Sequence, residues 1–328
     1  MAIALKNSSP TITVIAPARL HMGFIDLSGS LGRHFGSIGI ALNEINTTVS
    51  LSSAPEFMRS GAASERANHC FKQLCDELKV SNQLHLHIEQ VIPEHVGLGS
   101  GTQMSLAIGM ALSAFYNLDL TVRDIALLTA RGARSGIGIA MFEQGGLVVD
   151  GGRGEQTLTP PVISRMPIPE SWHFILVLDT RGQGLHGEDE IAAFKALPPF
   201  PQQQAAQLCY LLMMQALPAV AENNIQLFGE VITQLQQSVG EHFAAAQGGI
   251  FTSAEVADAM TFLQQHGATA IGQTSWGPTG FCAVEGYEQA NHLKVKVEQA
   301  FTQHEHLQVL VVSARNGGGE VIIHTDGS

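Results

Sequence analysis

The sequence is short of several things, and each shortage removes a class of function. Basic residues are outnumbered: 17 Lys and Arg stand against 29 Asp and Glu, for a net charge of −12. A general nucleic-acid or membrane-surface binder needs a basic face, so neither partner is expected. An anionic small molecule is still permitted, because backbone amides and a few arginines can hold a phosphate inside an acidic protein. There are four cysteines, Cys70, Cys75, Cys209 and Cys282, and no C-x-x-C pair. That pattern reads as reduced structural thiols rather than a secreted disulfide framework. No apolar run approaches the roughly 18 residues of a membrane span, and Met1–Pro10 has no apolar signal-peptide core. A cytoplasmic protein is therefore expected. No internal repeat is visible, and the glutamine-rich stretches are short.

What remains is a chain built to fold. Of its 328 residues, 45% are hydrophobic, only 14% are charged, and 34 are glycine. A prior of roughly 150 residues per domain suggests two domains. Strand signals fall at residues 12–16, ending at Pro17, at 47–53, and at 84–88, where Leu84, Leu86 and Ile88 alternate with His85 and His87. Helices are expected near 63–78 and 100–115, the latter apolar nearly all round and so buried. Thr121-Val-Arg-Asp124 opens another helix as a capping box. Pro160, Pro161, Pro167 and Pro169 mark a connection to a second α/β region. Two α/β (α+β) domains, 1–160 and 161–328, are the expectation.

The sharpest local feature is Pro93-Glu-His-Val-Gly97-Leu-Gly99-Ser100-Gly101-Thr102-Gln103, between a predicted strand and a predicted helix. Glycines let backbone amides turn toward a ligand, and a helix start adds free N–H donors and partial positive charge. Together these make a phosphate site, with Ser100 and Thr102 as further donors. A glycine-rich turn that merely caps a buried helix is the alternative. The loop is not a Walker A loop, because no G-K-[ST] follows, and its spacing is G-x-G-x-G rather than the Rossmann G-x-G-x-x-G.

This run resembles the central P-x-x-x-G-L-G-S-S motif of the GHMP kinases, where it wraps nucleotide phosphates. Ala16-Pro-Ala-Arg-Leu20 resembles the first motif of that superfamily, and Gly272-Gln-Thr-Ser-Trp-Gly-Pro-Thr-Gly280 stands where its third, glycine-rich motif belongs. The resemblance covers most of the chain and implies a two-domain GHMP-kinase-like fold with a ligand cleft between the domains. It breaks at one place. Many of these kinases carry S-G-x-D before a G-G pair, the aspartate serving as catalytic base. Here Ser135-Gly-Ile-Gly138 puts glycine at that position, with Gly145-Gly146 in register. Glycine cannot accept a proton.

Arg19-Leu-His-Met-Gly-Phe-Ile-Asp26, Gly97–Gln103, Arg131-Gly-Ala-Arg-Ser-Gly-Ile-Gly138 and Ser275-Trp-Gly-Pro278 are similar to one branch, the β-ribofuranosylaminobenzene 5′-phosphate synthases of methanopterin biosynthesis. That similarity implies phosphoribosyl pyrophosphate and a para-substituted benzoate, 4-amino or 4-hydroxy, as small-molecule substrates. Magnesium is the expected cofactor, with ligands unknown. A homodimer is the base-rate guess. Arg19, His21, Asp26 and Arg134 are then candidate catalytic residues. Gly97, Gly99, Ser100, Gly101, Thr102 and Gln103 are candidates for phosphate binding. Arg33, Ser135, His186, Ser275, Trp276 and Gly277 are candidates for substrate binding. Each has a plainer reading: ion pairs or helix-end cations for the arginines, a core histidine for His21, a turn cap for Asp26, loop packing for Trp276. The polar stretch around His186, Glu188 and Asp189 can equally be a solvated acidic loop. Two other functions stay open, an ATP-dependent kinase using a different base and a non-catalytic metabolite-binding protein.

Overall fold

The computed structural model describes residues 10–62, 65–182, 192–193, 196–275 and 277–325. Two sheets carry the fold. In the first, β1 (Thr11–Asp26) lies between β2 (Phe35–Ser53) and β11 (Glu320–His324); β4 (Leu84–Gln90) and β3 (Met58–Gly61) extend it beyond β2. β5 (Leu147–Asp150) pairs with the Phe35 end of β2, and β6 (Val162–Met166) pairs with β5. The second sheet runs β10 (Leu307–Ser313), β7 (Trp172–Asp179), β9 (Thr279–Glu285), β8 (Thr269–Gln273), all antiparallel.

This topology corrects the expected division at residue 160. Val162–Met166 still belongs to the first sheet, and Glu320–His324 returns to it from the far end of the chain. Of the prolines read as the boundary, Pro160 and Pro161 precede β6 inside the first sheet's run, whereas Pro167 and Pro169 stand in the connection from β6 to β7 of the second sheet. Nor does β1 stop at Pro17. It continues for 16 residues because register shifts at Pro17/Arg19 and His21/Gly23 absorb the missing proline donor.

The helices of the first half are α1 (Glu65–Leu78), α2 (Ser100–Tyr116), α3 (Val122–Leu128) and α4 (Ile137–Glu143). Thr121 does form the capping box with Asp124. Leu106, Ala107, Ile108, Ala111 and Leu112 of α2 are fully buried with Ile12, Val14 and Leu86 beneath α1. A second core joins the two halves: Leu20 and Met22 of β1 pack in one cluster with Trp172, Phe174, Phe228 and Phe281. Trp172 and Phe228 are completely buried, ring centroids 5.2 Å apart. The outer face of the second sheet is closed by the Ala254–Gln265 and Tyr287–Ala300 helices.

Candidate functional site

The first register shift of β1 is what builds the site. It releases the Arg19 N–H from the β2 ladder to donate to Leu98 O at 3.1 Å, and the Arg19 Nη1 donates to Gly97 O at 2.7 Å. The glycine loop is thereby fastened to β1 by both ends of one residue. Gly97 and Gly99 sit at φ +81° and +83°, the left-handed region that glycine enters without steric cost. Gly99 is the N-cap of α2, and no side chain caps the helix. The first backbone N–H groups of α2 therefore have no partner of their own in the helix, as at any helix start. Ser100 and Thr102 lie in this first turn.

The third motif meets the loop directly. A Cβ on Gly277 would stand 2.8 Å from Gly97 Cα and 2.8 Å from Val96 O. Thr279 Oγ1 donates to Val96 O at 2.7 Å. Gly97 and Gly277, 180 positions apart in sequence, thus fit together only because both are glycine. His21 adds a second tie. The Gly23 N–H donates to its Nδ1 at 3.2 Å, which makes Nδ1 an acceptor, so the Ser275 hydroxyl, 2.6 Å away, donates to it as well. The ring proton then sits on Nε2, a buried atom without a hydrogen-bond partner among the described residues.

Burial, and secondly the charge of Arg19, hold the His21 pKa well below the usual histidine value. Above pH ~6.5 both folded and unfolded chains keep this ring neutral and it has no effect. As pH falls below that value the unfolded chain takes up the proton first, so stability is lost, by at most about 1.4 kcal/mol per pH unit for one site. Thermal unfolding of wild type and His21→Asn at pH 7.5 and pH 5.5 checks this. The wild type is expected to lose more stability on acidification than the variant; equal losses would mean that His21 is not held neutral.

The base position is filled by packing. A Cβ on Gly138 would lie 3.0 Å from Thr102 Cγ2 and 3.7 Å from Gln103 Nε2. Gln103 is fully buried and its amide donates to Gly138 O at 2.7 Å. Its side chain is thus committed to α4, although its place in the loop motif suggested phosphate. Thr102 likewise presents its methyl to Gly138.

Other candidates group elsewhere. Ser135 Oγ lies 2.7 Å from Ser37 Oγ and donates to Asp150 Oδ2 at 3.3 Å. Asp150 also accepts from Ser37 and from the N–H groups of Gly136 (2.9 Å) and Gly152 (2.8 Å). Burial pushes its carboxyl up and these hydrogen bonds oppose that. Asp150 therefore fastens the start of α4 to β2 and β5. Arg33 donates to Gly151 O and Gly152 O at 2.8 and 2.9 Å, not to the glycine loop. Asp26 accepts from the Ser28 N–H and hydroxyl at 2.7 and 2.6 Å, which is the turn-capping reading. Arg134 is half-buried between α3 and α4. His186, Glu188, Asp189 and Trp276 lie outside the described residues. His85 and His87 both face Ser60 on β3.

Sequence reasoning missed Asp150, Ser37 and Arg66. Only strand pairing brings the first two together, and Arg66 enters the loop from α1. Among the described residues, Glu255, His304 and His306 form a group with metal-ligand spacing, but Arg181 already sits 2.7 Å from Glu255 Oε1, and the group belongs to the second sheet's side.

The GHMP kinases N terminal domain matches residues 65–146 and the GHMP kinases C terminal domain matches residues 216–303. The β-ribofuranosylphenol 5′-phosphate synthase of Archaeoglobus fulgidus is 32% identical, over 93% of this chain and 97% of that one. The enzyme of the same name from Methanocaldococcus jannaschii is 35% identical over 67% of this chain and 75% of its own length. In fold, the chain resembles homoserine kinase from Cytophaga hutchinsonii (TM-score 0.66, 16% identity, 98% and 99% of the two chains). It also resembles mevalonate kinase from L. major (TM-score 0.65, 16% identity, 97% and 100%).

Proposed function

We propose a reaction for this chain, which belongs to the β-ribofuranosylphenol 5′-phosphate synthase family and is an enzyme on the GHMP kinase scaffold. It joins phosphoribosyl pyrophosphate to 4-hydroxybenzoate, or to its 4-amino analogue, at the ring carbon bearing the carboxylate, and releases CO2 and pyrophosphate. This is a step of methanopterin biosynthesis. The phenol in the relatives' name favours the hydroxybenzoate.

The observation that carries the reading is the packing at Gly138. A kinase needs a base to take the proton of an attacking hydroxyl. Here that position has no side chain, and Thr102 and Gln103 close over it. The synthase reaction needs no such base. The C1–O bond of the ribose breaks and its electron pair leaves with pyrophosphate. Electrons of the ring form the new C–C bond to C1. The bond to the carboxylate carbon then breaks, its pair returns to the ring, and CO2 departs. No proton has to be removed at the reacting carbon.

The chain's own residues then have definable tasks. The free amides at the start of α2 receive the anionic donor. Arg19 fixes the loop and sets a permanent positive charge against it. Neutral His21, tied to Ser275, holds the third motif against the loop. Magnesium, when bound, would neutralise pyrophosphate and ease its departure. Among the described residues no group of three metal-ligating side chains lies at the loop, so the ion fits as a partner of the donor's phosphates rather than as a resident one.

The test is product formation. With magnesium, phosphoribosyl pyrophosphate and either benzoate, mass spectrometry should detect the ribosylated phenol or aniline 5′-phosphate, with pyrophosphate released in equal amount. Phosphorylation of a small hydroxyl substrate by ATP, with no ribosylated product, would overturn the proposal in favour of a kinase.

A further inference from the structure

Two arginines outside the tasks assigned above converge on the start of α2. A Cβ built on Gly101 would stand 3.2 Å from Arg66 Nη1 and 3.5 Å from Arg131 Nη1. Both guanidiniums thus lie against the same methyl-sized point of the first helical turn. Arg66 comes from α1 and Arg131 from the turn after α3, so the tertiary fold has brought them together. Arg131 is held there: its Nε donates to Ser105 Oγ at 3.2 Å, and Ser105 Oγ donates to Gly101 O at 3.0 Å. Among the described residues neither arginine forms an ion pair with a carboxylate.

This arrangement is unfavourable as it stands. Two permanent cations repel, and both sit at the positive end of a 17-residue helix. Arg131 is partly buried too, and burial first, then the Arg66 charge, pulls its pKa down from the usual arginine value. The neighbouring Cys70 gives no relief as a thiolate, because burial pushes its pKa up. Like charges gathered at a helix start without a counter-charge are what an anion site looks like before the anion binds.

We propose that Arg66 and Arg131 form a second cationic arm of the glycine loop, alongside Arg19 at Gly99, and that this arm holds the pyrophosphate of the ribosyl donor. This deepens the synthase reading and rests on it for the identity of the donor. A diphosphate suits the pair better than a monophosphate, because two guanidiniums and a helix start can each meet separate oxygens. The pair also has a part in the chemistry. When the C1–O bond breaks, the electron pair leaves with pyrophosphate and its negative charge rises. Two fixed cations already stand where that charge grows, so the departure is favoured with no proton transfer. Gly101 is required for the same reason: a side chain there would occupy the space between the loop and both arginines.

The experiment is calorimetric titration of inorganic pyrophosphate with magnesium into wild type, Arg66→Gln, Arg131→Gln and Arg66→Lys, each with its thermal midpoint. Orthophosphate serves as the comparison ligand. Pyrophosphate affinity is expected to fall about tenfold or more in each glutamine variant, with a smaller loss for orthophosphate and partial recovery in Arg66→Lys. Arg131 is packed and its variant can lose stability, whereas Arg66 lies at the start of α1 and provides an independent reading. Glutamine variants that keep the wild-type midpoint and bind pyrophosphate as tightly as wild type would overturn the proposal. So would a wild type that binds no pyrophosphate. The outcomes separate from those of the reaction itself. Arginine-dependent pyrophosphate binding without ribosylated product would leave this site standing and reject the reaction. Product formation with unchanged pyrophosphate affinity in the variants would reject this site alone.

Discussion

Gly99→Val is expected to abolish donor binding while leaving most of the fold intact. Gly99 sits at φ +83°, and a Cβ there would stand 2.8 Å from Arg19 Cγ and 3.3 Å from its Nε. A β-branched residue in the left-handed region is a steric outlier, at a cost of about 1–2 kcal/mol before any contact is counted. The new side chain must also displace Arg19, which ties β1 to the loop through Gly97 O. The chain relieves the strain by moving the loop, and the helix-start amides then lose their aim. Donor affinity measured by calorimetry should fall at least ~100-fold, equivalent to about 2.7 kcal/mol. Thermal unfolding of the same samples separates this from general destabilisation. A folded variant that binds the donor like wild type would place the donor site elsewhere.

Arg19→Ala is expected to weaken donor binding by about 10- to 150-fold, the equivalent of roughly 1.5–3 kcal/mol for one charge-assisted contact. It removes the Nη1 bond to Gly97 O but keeps the backbone bond to Leu98 O. The loop should therefore loosen without detaching. A second readout tests placement rather than stability. Arg19 is one cause of the low His21 pKa, so without its charge the imidazole should titrate at higher pH, visible by NMR. Arg19→Lys keeps a charge but not the fork geometry and should fall between the two. Unchanged donor affinity and unchanged His21 titration in a folded Arg19→Ala protein would contradict both roles.

What could be read in the sequence was local. The glycine loop opens a buried helix because Gly97 to Gly101 and the apolar run behind them are contiguous, and Thr121 with Asp124 form a capping box at three-residue spacing. The unusual glycine at 138 was also visible, but its meaning was not. Only the structure shows Thr102 against it and the Gln103 amide bonded to its carbonyl. In the sequence Pro17 marks the end of a strand, because proline lacks a ladder donor. The irregularity there instead turns Arg19 toward the loop. Long-range partnerships left no trace in spacing. His21 and Ser275 are 254 positions apart, and Ser37 reaches Asp150 only because β2 pairs with β5. Arg66 looked like any polar residue on the first turn of a helix. Its significance depends on Arg131 approaching the same glycine from another element.

The central claim is that a kinase scaffold without a base at position 138 carries out ribosyl transfer with decarboxylation. Its most direct test is the fate of the carboxylate carbon. Wild-type protein is incubated with magnesium and 4-hydroxybenzoate labelled at the carboxyl carbon, with and without phosphoribosyl pyrophosphate, and trapped CO2 is counted. Labelled CO2 is expected only when the ribosyl donor is present, in equal amount to the pyrophosphate formed. Label retained in the benzoate or its products, with ATP consumed in place of the ribosyl donor, would contradict the account.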